Sequence, residues 1–263
     1  MELSTITITR SADARVATVT LTRPALRNAF NAASIAELQR AFETLSAEDD
    51  LRAVVLAAEG PAFCAGADLN WMREMAGYDH AENLADAAQL AAMLWSVYCC
   101  RHPVVAKVQG DVYAGGMGLV AACDIAVAVD TAQFCLSETR LGLIPATISP
   151  YVIRAMGQNA ARRYFLTAER FSAAQALQIG FVQEVVAPAS LASTVDALVA
   201  TLAAVSPHAA REAKRLVRDI GGAPIDATLI AETAARIAAV RASEQGREGV
   251  RAFLDKRRPT WLD

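Results

Sequence analysis

The chain has 263 residues, of which 54% are hydrophobic and 20% are charged. This length and composition are enough to bury a sizeable core and exclude a disordered chain. The formal net charge of −3 and the isoelectric point near 5.7 argue against the basic surface of a nucleic-acid-binding domain. We therefore predict a globular protein with no nucleic-acid partner.

The first half of the chain alternates strand-like and helical stretches. In chain order we predict strand 6–9, strand 16–22, helix 33–46, strand 53–57, helix 82–100, strand 104–108, a short buried helix 116–123 and strand 125–129. Such alternation is typical of a parallel sheet backed by helices.

The second half becomes predominantly helical. We predict helices at 151–156, 160–166 and 172–179, with Ser172 as an N-cap, then a strand at 182–186. From Leu191 onward nearly everything reads as helix, so we divide the chain into a core at 1–190 and a helical region at 191–263. The alanine-rich helices of that region suit packing against another subunit as well as packing within the chain.

Localisation and metal binding follow from simple patterns. The N-terminal residues lack the order of a signal peptide, and the longest apolar stretches, near 91–100 and 119–129, are too short to span a bilayer. Five cysteines, an odd number without metal-site spacing, argue against both a disulfide framework and a metal centre. We expect a cytoplasmic protein without metal.

Two turns of small residues each follow a predicted strand and precede a helix. They read PAFCAGADL at 61–69 and GDVYAGGMG at 110–118. Such turns let a ligand approach backbone N–H groups, and a pair of them can form an oxyanion hole, in which one donor contributes about 3 to 4 kcal/mol. With Glu138 shortly afterwards, the pattern predicts one acid/base carboxylate beside two donor loops, the outline of a site that stabilises a thioester enolate.

Ordered motifs along the whole chain resemble the crotonase family of enoyl-CoA hydratases and isomerases. They are FCAGADL at 63–69, QG at 109–110 with AGG at 114–116, ACDI at 122–125, and FCLSE at 134–138 followed by GLIP at 142–145. The resemblance implies an α/β fold, a spiral of ββα units with a helical C-terminal region that builds a homotrimer or a dimer of trimers. It also implies an acyl-CoA substrate, with CoA entering as part of that substrate and no separate cofactor.

The resemblance also assigns roles to residues. Glu138 is the implied proton donor and acceptor, and the amides of Ala67 and Gly115 hold the thioester oxygen. The implied CoA-binding residues are Arg23, Ala25, Arg27, Ala65, Gly66, Asp68 and Lys256, the last either touching phosphate across a subunit boundary or remaining only a solvated charge. The candidates for the acyl pocket are Trp71, Met72 and Tyr113.

Two segments depart from the family pattern. Hydratases of the family usually carry a second glutamate where this chain has Gly118, and a glycine-rich turn is replaced by PATISP at 145–150. Hydration needs a base for water and an acid for Cα, which one carboxyl can serve in turn, whereas moving a double bond needs only one proton shuttle. Considered by mechanism alone, Gly118 therefore favours a Δ3,Δ2-enoyl-CoA isomerase. The replaced turn at 145–150 predicts a bulkier wall of the acyl pocket.

Three segments point instead to a narrower subgroup. Residues 64–72, 116–124 and 148–154 resemble bacterial 3-methylglutaconyl-CoA hydratases of leucine degradation, with isohexenylglutaconyl-CoA hydratases as a close alternative. Both substrates carry a free carboxylate, and glycine at 118 leaves room for this group. An arginine should bind it, and Arg140 and Arg154 are the nearest in sequence to the Glu138 segment. We predict an enoyl-CoA hydratase for a glutaconyl-type substrate; the alternatives are the isomerase and a non-catalytic acyl-CoA-binding protein, against which the retained Glu138 argues.

Overall fold

The computed structural model describes residues 3–262. Its strands are β1 (Ile6–Arg10), β2 (Val16–Leu21), β3 (Ala53–Ala58), β4 (Ala62–Cys64), β5 (Val104–Val108), β6 (Asp111–Tyr113), β7 (Ile125–Val129), β8 (Gln133–Cys135), β9 (Phe171–Ser172) and β10 (Glu184–Val186). Its helices are α1 (Ala32–Ala47), α2 (Leu69–Met75), α3 (His80–Tyr98), α4 (Gly115–Ala121), α5 (Ser149–Thr167), α6 (Ala173–Gln178), α7 (Leu191–Ala204), α8 (Pro207–Ile220), α9 (Ala227–Ala242) and α10 (Glu244–Leu254).

The strands form two sheets. The larger has the order β1-β2-β3-β5-β7-β10 and is parallel except for the antiparallel pair β1–β2. The smaller has the order β4-β6-β8-β9 and is parallel except for β8–β9. From β3 onward, a strand of the large sheet is followed by a short strand of the small sheet and then by a helix, as in β3-β4-α2, β5-β6-α4 and β7-β8-α5. The predicted α/β spiral of ββα units is confirmed.

This arrangement brings three turns to one edge of the small sheet. Within that sheet Cys64 pairs with Val112 and Tyr113 pairs with Cys135, both in parallel register. Because β4, β6 and β8 run in the same direction, the residues that follow them leave at the same edge. The two glycine turns and the segment leading to Glu138 are therefore neighbours.

An aromatic cluster supports the small sheet from its inner face. Phe134 of β8 lies 5.6 Å from the rings of both Phe171 and Phe181, measured between centroids, and Phe171 stacks on Tyr164 at 4.1 Å. All four side chains are buried. The cluster fixes β8, and with it the segment that carries Glu138.

Helix limits follow local capping. The predicted helices 151–156 and 160–166 are joined in α5, which is interrupted at Gly157 (φ 77°, ψ 161°). Ser172 caps α6 in a capping box with Gln175, and Asp79 caps α3, which therefore starts two residues before the predicted 82. The predicted strand 182–186 is reduced to β10, because Phe181 and Val182 donate to the Ala176 carbonyl instead.

The helices after residue 190 divide into two groups. Leu191, Val195 and Val199 of α7 belong to the main core, and Lys214 of α8 forms an ion pair with Asp124 at 2.7 Å. By contrast, the stretch from α8 to the end of α10 leaves eight large apolar side chains exposed: Leu216, Val217, Ile225, Ile230, Ile237, Val250, Phe253 and Leu254. The division at residue 190 stays a prediction.

Within residues 3–262, no single helix has both the length and the apolar character to cross a membrane. The helix pair 188–204 and 207–220, bent by 107°, has both only when its two helices are taken together.

Candidate active site

The turn after β4 is held in a way that turns the Ala67 amide outward. The Phe30 N–H donates to the Gly66 carbonyl at 2.6 Å, and the Asp68 N–H donates to the Phe30 carbonyl at 2.8 Å. In such a parallel bridge the residue between the two bonded ones directs its own N–H away from the partner. Gly66 has φ of 90°, a left-handed conformation suited to glycine. The Ala67 N–H therefore faces away from Phe30.

The second donor stands at the start of α4. Gly115 is the first residue of that helix, so its N–H has no acceptor within the helix. Ala114 precedes it with φ 47° and ψ −119°, a conformation that costs a non-glycine residue about 1 to 3 kcal/mol. The Ala114 N–H donates to the Cys135 carbonyl at 2.9 Å, so β8 holds this strained turn in place.

The two turns pack directly on each other, which explains their small residues. A Cβ added to Gly66 would lie 3.0 Å from Ala114 Cβ, and one added to Gly116 would lie 2.8 Å from Cys64 Cβ. Phe30 joins both turns, because its ring would be only 3.1 Å from a Cβ on Gly115. The amides of Ala67 and Gly115 therefore lie on neighbouring turns and are candidates for the paired donors of an oxyanion hole.

Glu138 follows β8 and opens the short 3-10 turn Glu138–Leu141. Its Oε2 is buried and accepts no hydrogen bond from any residue of the described chain. Burial raises the pKa of Glu138 above its ordinary value of 4.5, opposed by a backbone hydrogen bond. A buried carboxyl with a raised pKa and a free oxygen is suited to both accept and donate a proton.

Ile148 fills the space beside Gly118. A Cβ added to Gly118 would lie 2.6 Å from Ile148 Cβ and closer still to Ile148 Cγ2. Ile148 is 1% exposed and belongs to the segment 145–150, so this segment places a bulky side chain against Gly118. Its role as the wall of the acyl pocket stays a prediction. The expectation that glycine at 118 leaves room for an extra substrate group is wrong, because an isoleucine from another element occupies that room.

Six of the predicted CoA-binding residues lie on two loops that are fastened together. Arg23 Nη2 pairs with Asp68 Oδ2 at 2.6 Å, and Arg23 Nη1 donates to the Ala29 carbonyl at 2.8 Å. The Ala65 N–H donates to the Arg27 carbonyl at 3.0 Å. Loop 23–29 thus lies against turn 65–68, with Ala25 and Arg27 exposed beside it.

Lys256, the seventh predicted CoA contact, stands apart from these loops in the fold. It is exposed and follows α10, a helix that packs mainly on α8 and α9. Its contact with phosphate stays a prediction.

The acyl-pocket candidates differ in their surroundings. Trp71 is buried and its Nε1 donates to Asp86 Oδ1 at 3.1 Å, which ties α2 to α3. Met72 and Tyr113 are half-buried. The Arg170 guanidinium lies 5.5 Å from the centroid of the Tyr113 ring. Tyr113 directly precedes the turn 114–116, which we call the oxyanion turn. Sequence reasoning missed Arg170, because only the antiparallel pairing of β9 with β8 brings it there.

Of the two arginines predicted near Glu138, the structure contradicts one. Arg154 lines a hollow of about 810 Å³ together with Asp124, Gly180 and Lys214. Asp124 precedes β7, so this hollow lies at the amino end of the sheet, whereas Glu138 follows the carboxyl end of β8. Arg140 sits in the same 3-10 turn as Glu138 and is exposed.

Comparison with known proteins agrees with this geometry. Residues 11–263 match the family described as enoyl-CoA hydratase/isomerase. A putative enoyl-CoA hydratase of Thermus thermophilus is 33% identical over 249 residues, covering 93% of this chain and 96% of the relative. The 2,3-dehydroadipyl-CoA hydratase of Escherichia coli is 34% identical over 247 residues, covering 93% and 94%. The crystal structure of an enoyl-CoA hydratase from Shewanella pealeana superposes with a TM-score of 0.95 at 40% identity, covering 99% of this chain and 97% of that one.

The fold and its paired amide turns define a protein of the crotonase class. The chain belongs to the enoyl-CoA hydratase/isomerase family and is an enzyme of that family.

Proposed function

We propose that this enzyme hydrates an α,β-unsaturated acyl-CoA whose acyl group carries a free carboxylate, with 3-methylglutaconyl-CoA as the leading substrate. Segments 64–72, 116–124 and 148–154 resemble hydratases of that substrate. The Escherichia coli relative is named for an adipyl thioester, and an adipyl chain also ends in a carboxylate. The single observation that carries hydration is Glu138, whose buried, unbonded oxygen and raised pKa suit a group that handles both protons of the reaction.

In the proposed reaction, the amides of Ala67 and Gly115 donate to the thioester oxygen. Negative charge grows on that oxygen as water attacks Cβ, and preorganised donors stabilise it most at this stage. Glu138 accepts the proton of the attacking water and then delivers a proton to Cα. CoA lies along loop 23–29 and turn 65–68, with Lys256 of a second copy as its phosphate contact, and no further cofactor takes part.

Two arginines are available for the acyl carboxylate. Arg140 lies two residues after Glu138, and Arg170 lies on the ring of Tyr113. Across residues 3–262, no Asp or Glu forms an ion pair with either guanidinium. A free guanidinium suits a planar carboxylate, which it binds with two parallel hydrogen bonds. We assign Arg170 as the principal carboxylate contact, because Tyr113 adjoins the oxyanion turn.

A Δ3,Δ2-enoyl-CoA isomerase is the second candidate. Isomerisation needs one group that removes a proton at one carbon and returns it at another. Gly118 favours this candidate, because it leaves Glu138 without a second carboxylate at that position, and Ile148 fills the space beside it.

A substrate panel separates the two candidates. The purified enzyme is incubated with crotonyl-CoA, 3-methylcrotonyl-CoA, 3-methylglutaconyl-CoA and a 3-enoyl-CoA; gain of water is followed by mass, and the position of the double bond by NMR. We expect 3-methylglutaconyl-CoA to gain one water with the highest kcat/KM. Faster shift of the 3-enoyl double bond, with no water gained by any substrate, would establish the isomerase instead.

A substitution tests the proposed contact between Arg170 and the substrate carboxylate. We expect Arg170→Met to lower kcat/KM for 3-methylglutaconyl-CoA about 10-fold or more and to leave crotonyl-CoA nearly unaffected, as for loss of a charge-assisted contact. Arg162→Met, at an exposed arginine of α5, is the matched variant and should change neither. Equal losses on both substrates would remove Arg170 from carboxylate recognition.

A further inference from the structure

The position of Gly118 relative to the oxyanion donor follows from helix geometry. Gly115 and Gly118 are three residues apart in α4, so they lie on the same face, about 5 to 6 Å from each other. If the Gly115 amide holds the thioester oxygen, the surface at position 118 borders the reacting Cα and Cβ. Whatever covers Gly118 therefore forms a wall of the reaction site.

Ile148 covers Gly118 and is held rigidly. It is the N-cap of α5, and its carbonyl accepts from the N–H groups of Tyr151 and Val152, both at 3.1 Å. Ser149 beside it donates from both its N–H and its hydroxyl to the Ala146 carbonyl, at 3.2 and 2.8 Å. Isoleucine branches at Cβ, and Cβ is one of the atoms that a side chain at 118 would meet, so a rotamer change does not relieve the contact.

We infer that Ile148 is a specificity-determining residue that acts as an apolar wall over Gly118. It closes this side of the acyl site to a second carboxylate and to water held by one. Glu138 is then the only side chain that can direct water to Cβ. Because no second carboxylate of the protein assists, substrates that also lack a carboxylate of their own are hydrated slowly. This inference rests on the proposed function of Glu138 and of the two amides.

A stability cycle tests the packing. Gly118→Ala should lower Tm, because the added methyl group meets Ile148, and Ile148→Gly should lower it by leaving a void. The pair Gly118→Ala with Ile148→Gly should recover part of the loss, since each change relieves the other, and glycine is accepted at an N-cap. The matched control is Gly116→Ala, whose methyl group meets Cys64; Ile148→Gly should not rescue it. Additive losses in both pairs would overturn the contact.

A second experiment tests the effect on chemistry. Gly118→Glu combined with Ile148→Gly places a carboxylate where the wall stood, and Gly118→Gln with Ile148→Gly is its uncharged control. We expect the glutamate pair to hydrate crotonyl-CoA about 10-fold faster than the glutamine pair and than wild type, within the range of one general acid or base. Folded pairs with equal rates would overturn the role of Ile148.

The outcomes separate the inference from the function beneath it. If wild type hydrates 3-methylglutaconyl-CoA but the glutamate pair gains nothing on crotonyl-CoA, only the role of Ile148 fails. If wild type hydrates no substrate of the panel, the proposed function fails, whatever the stability cycle shows.

Discussion

Glu138 is the single residue on which the proposed proton transfers depend. Glu138→Gln keeps the size of the side chain but removes the group that accepts and donates protons. We expect turnover to fall by roughly two to four orders of magnitude, with acyl-CoA binding changed only a few-fold. Steady-state kinetics and a binding titration with a saturated acyl-CoA measure the two effects, and a variant with more than about a tenth of wild-type turnover would exclude Glu138.

The same substitution should stabilise the fold in a pH-dependent way. Burial raises the pKa of Glu138 above 4.5, so above the folded-state pKa the fold contains an ionised carboxylate that the unfolded chain would hydrate better. Below pH 4.5 the carboxyl is protonated in both states and this cost vanishes. Thermal unfolding should give Glu138→Gln a higher Tm than wild type at neutral pH and the same Tm in acid. A wild type more stable than the variant at neutral pH would contradict this.

Among the structural elements, loop 23–29 and turn 65–68 are fastened together by the Arg23–Asp68 ion pair. Asp68 Oδ1 also caps α2 by accepting from the Asn70 N–H. Arg23→Met removes the ion pair and spares the cap. We expect kcat/KM to fall about 10-fold, since misplaced groups lose much of their catalytic effect.

A matched control separates this effect from general loss of a salt bridge. Arg10→Met removes an Arg–carboxylate pair with two hydrogen bonds, to Glu48, from the edge strand β1. Its activity should stay within about 2-fold of wild type. A change confined to KM in Arg23→Met would show direct contact with CoA, and no change in either constant would refute the positioning role.

Elements differed in how far the sequence could predict them. Strands β3 and β7 are continuous apolar runs and β5 is interrupted only by Lys107, so local patterns were sufficient to predict them. The N-cap Ser172 was likewise sufficient for α6, whereas the N-cap Asp79 was missed and the predicted start of α3 was two residues late. The strands β4, β6 and β8 have three residues each, too few to show any period. Their turns were still found, because the close approach of the two turns requires small residues.

Parts of the site depend on contacts that no local pattern contains. PATISP at 145–150 indicated a bulky wall, but only the fold shows that Ile148 points at Gly118. Arg170 reaches Tyr113 through the pairing of β9 with β8. Arg154 was chosen for nearness in sequence, and α5 carries it to the far edge of the sheet instead.

For the whole molecule, the exposed apolar side chains near the C-terminus indicate assembly into an oligomer. Ile225 and Phe253 are 87% and 83% exposed, and large exposed apolar side chains of this kind often mark a surface that another subunit covers. We expect a trimer or a dimer of trimers in sedimentation experiments. Phe253→Asp should weaken association, whereas Arg251→Asp, at an exposed polar position of the same helix, should have a smaller effect. A concentration-independent monomer would contradict the oligomer.

Acid stability should depend on His102. This side chain is 1% exposed, and neither ring nitrogen has a hydrogen-bond partner in the described chain. Burial, reinforced by Arg211 and Arg101, lowers the pKa of His102 from 6.5 to about 4. The fold keeps the ring neutral, so its stability is full above pH 6.5 and falls as the pH drops toward 4, because the unfolded chain takes up a proton there.

A substitution isolates this contribution. His102→Phe should flatten the dependence of Tm on pH between 6.5 and 4. His80→Phe, at the exposed start of α3, serves as the control and should keep the wild-type slope. An unchanged slope in His102→Phe would show that other groups govern acid unfolding.

In the proposed mechanism, Glu138 alone moves protons at Cα while the two amide turns hold the enolate oxygen. Deuterium transfer to Cα reports this step: wild type and Glu138→Gln are incubated with 3-methylglutaconyl-CoA in D2O, and the label at Cα of the hydrated product is followed by mass and NMR. We expect labelled product from wild type and labelling at least about 100-fold slower in the variant. Labelling by the variant within about 10-fold of wild type would mean that another group delivers the proton, and the single-carboxylate site would be refuted.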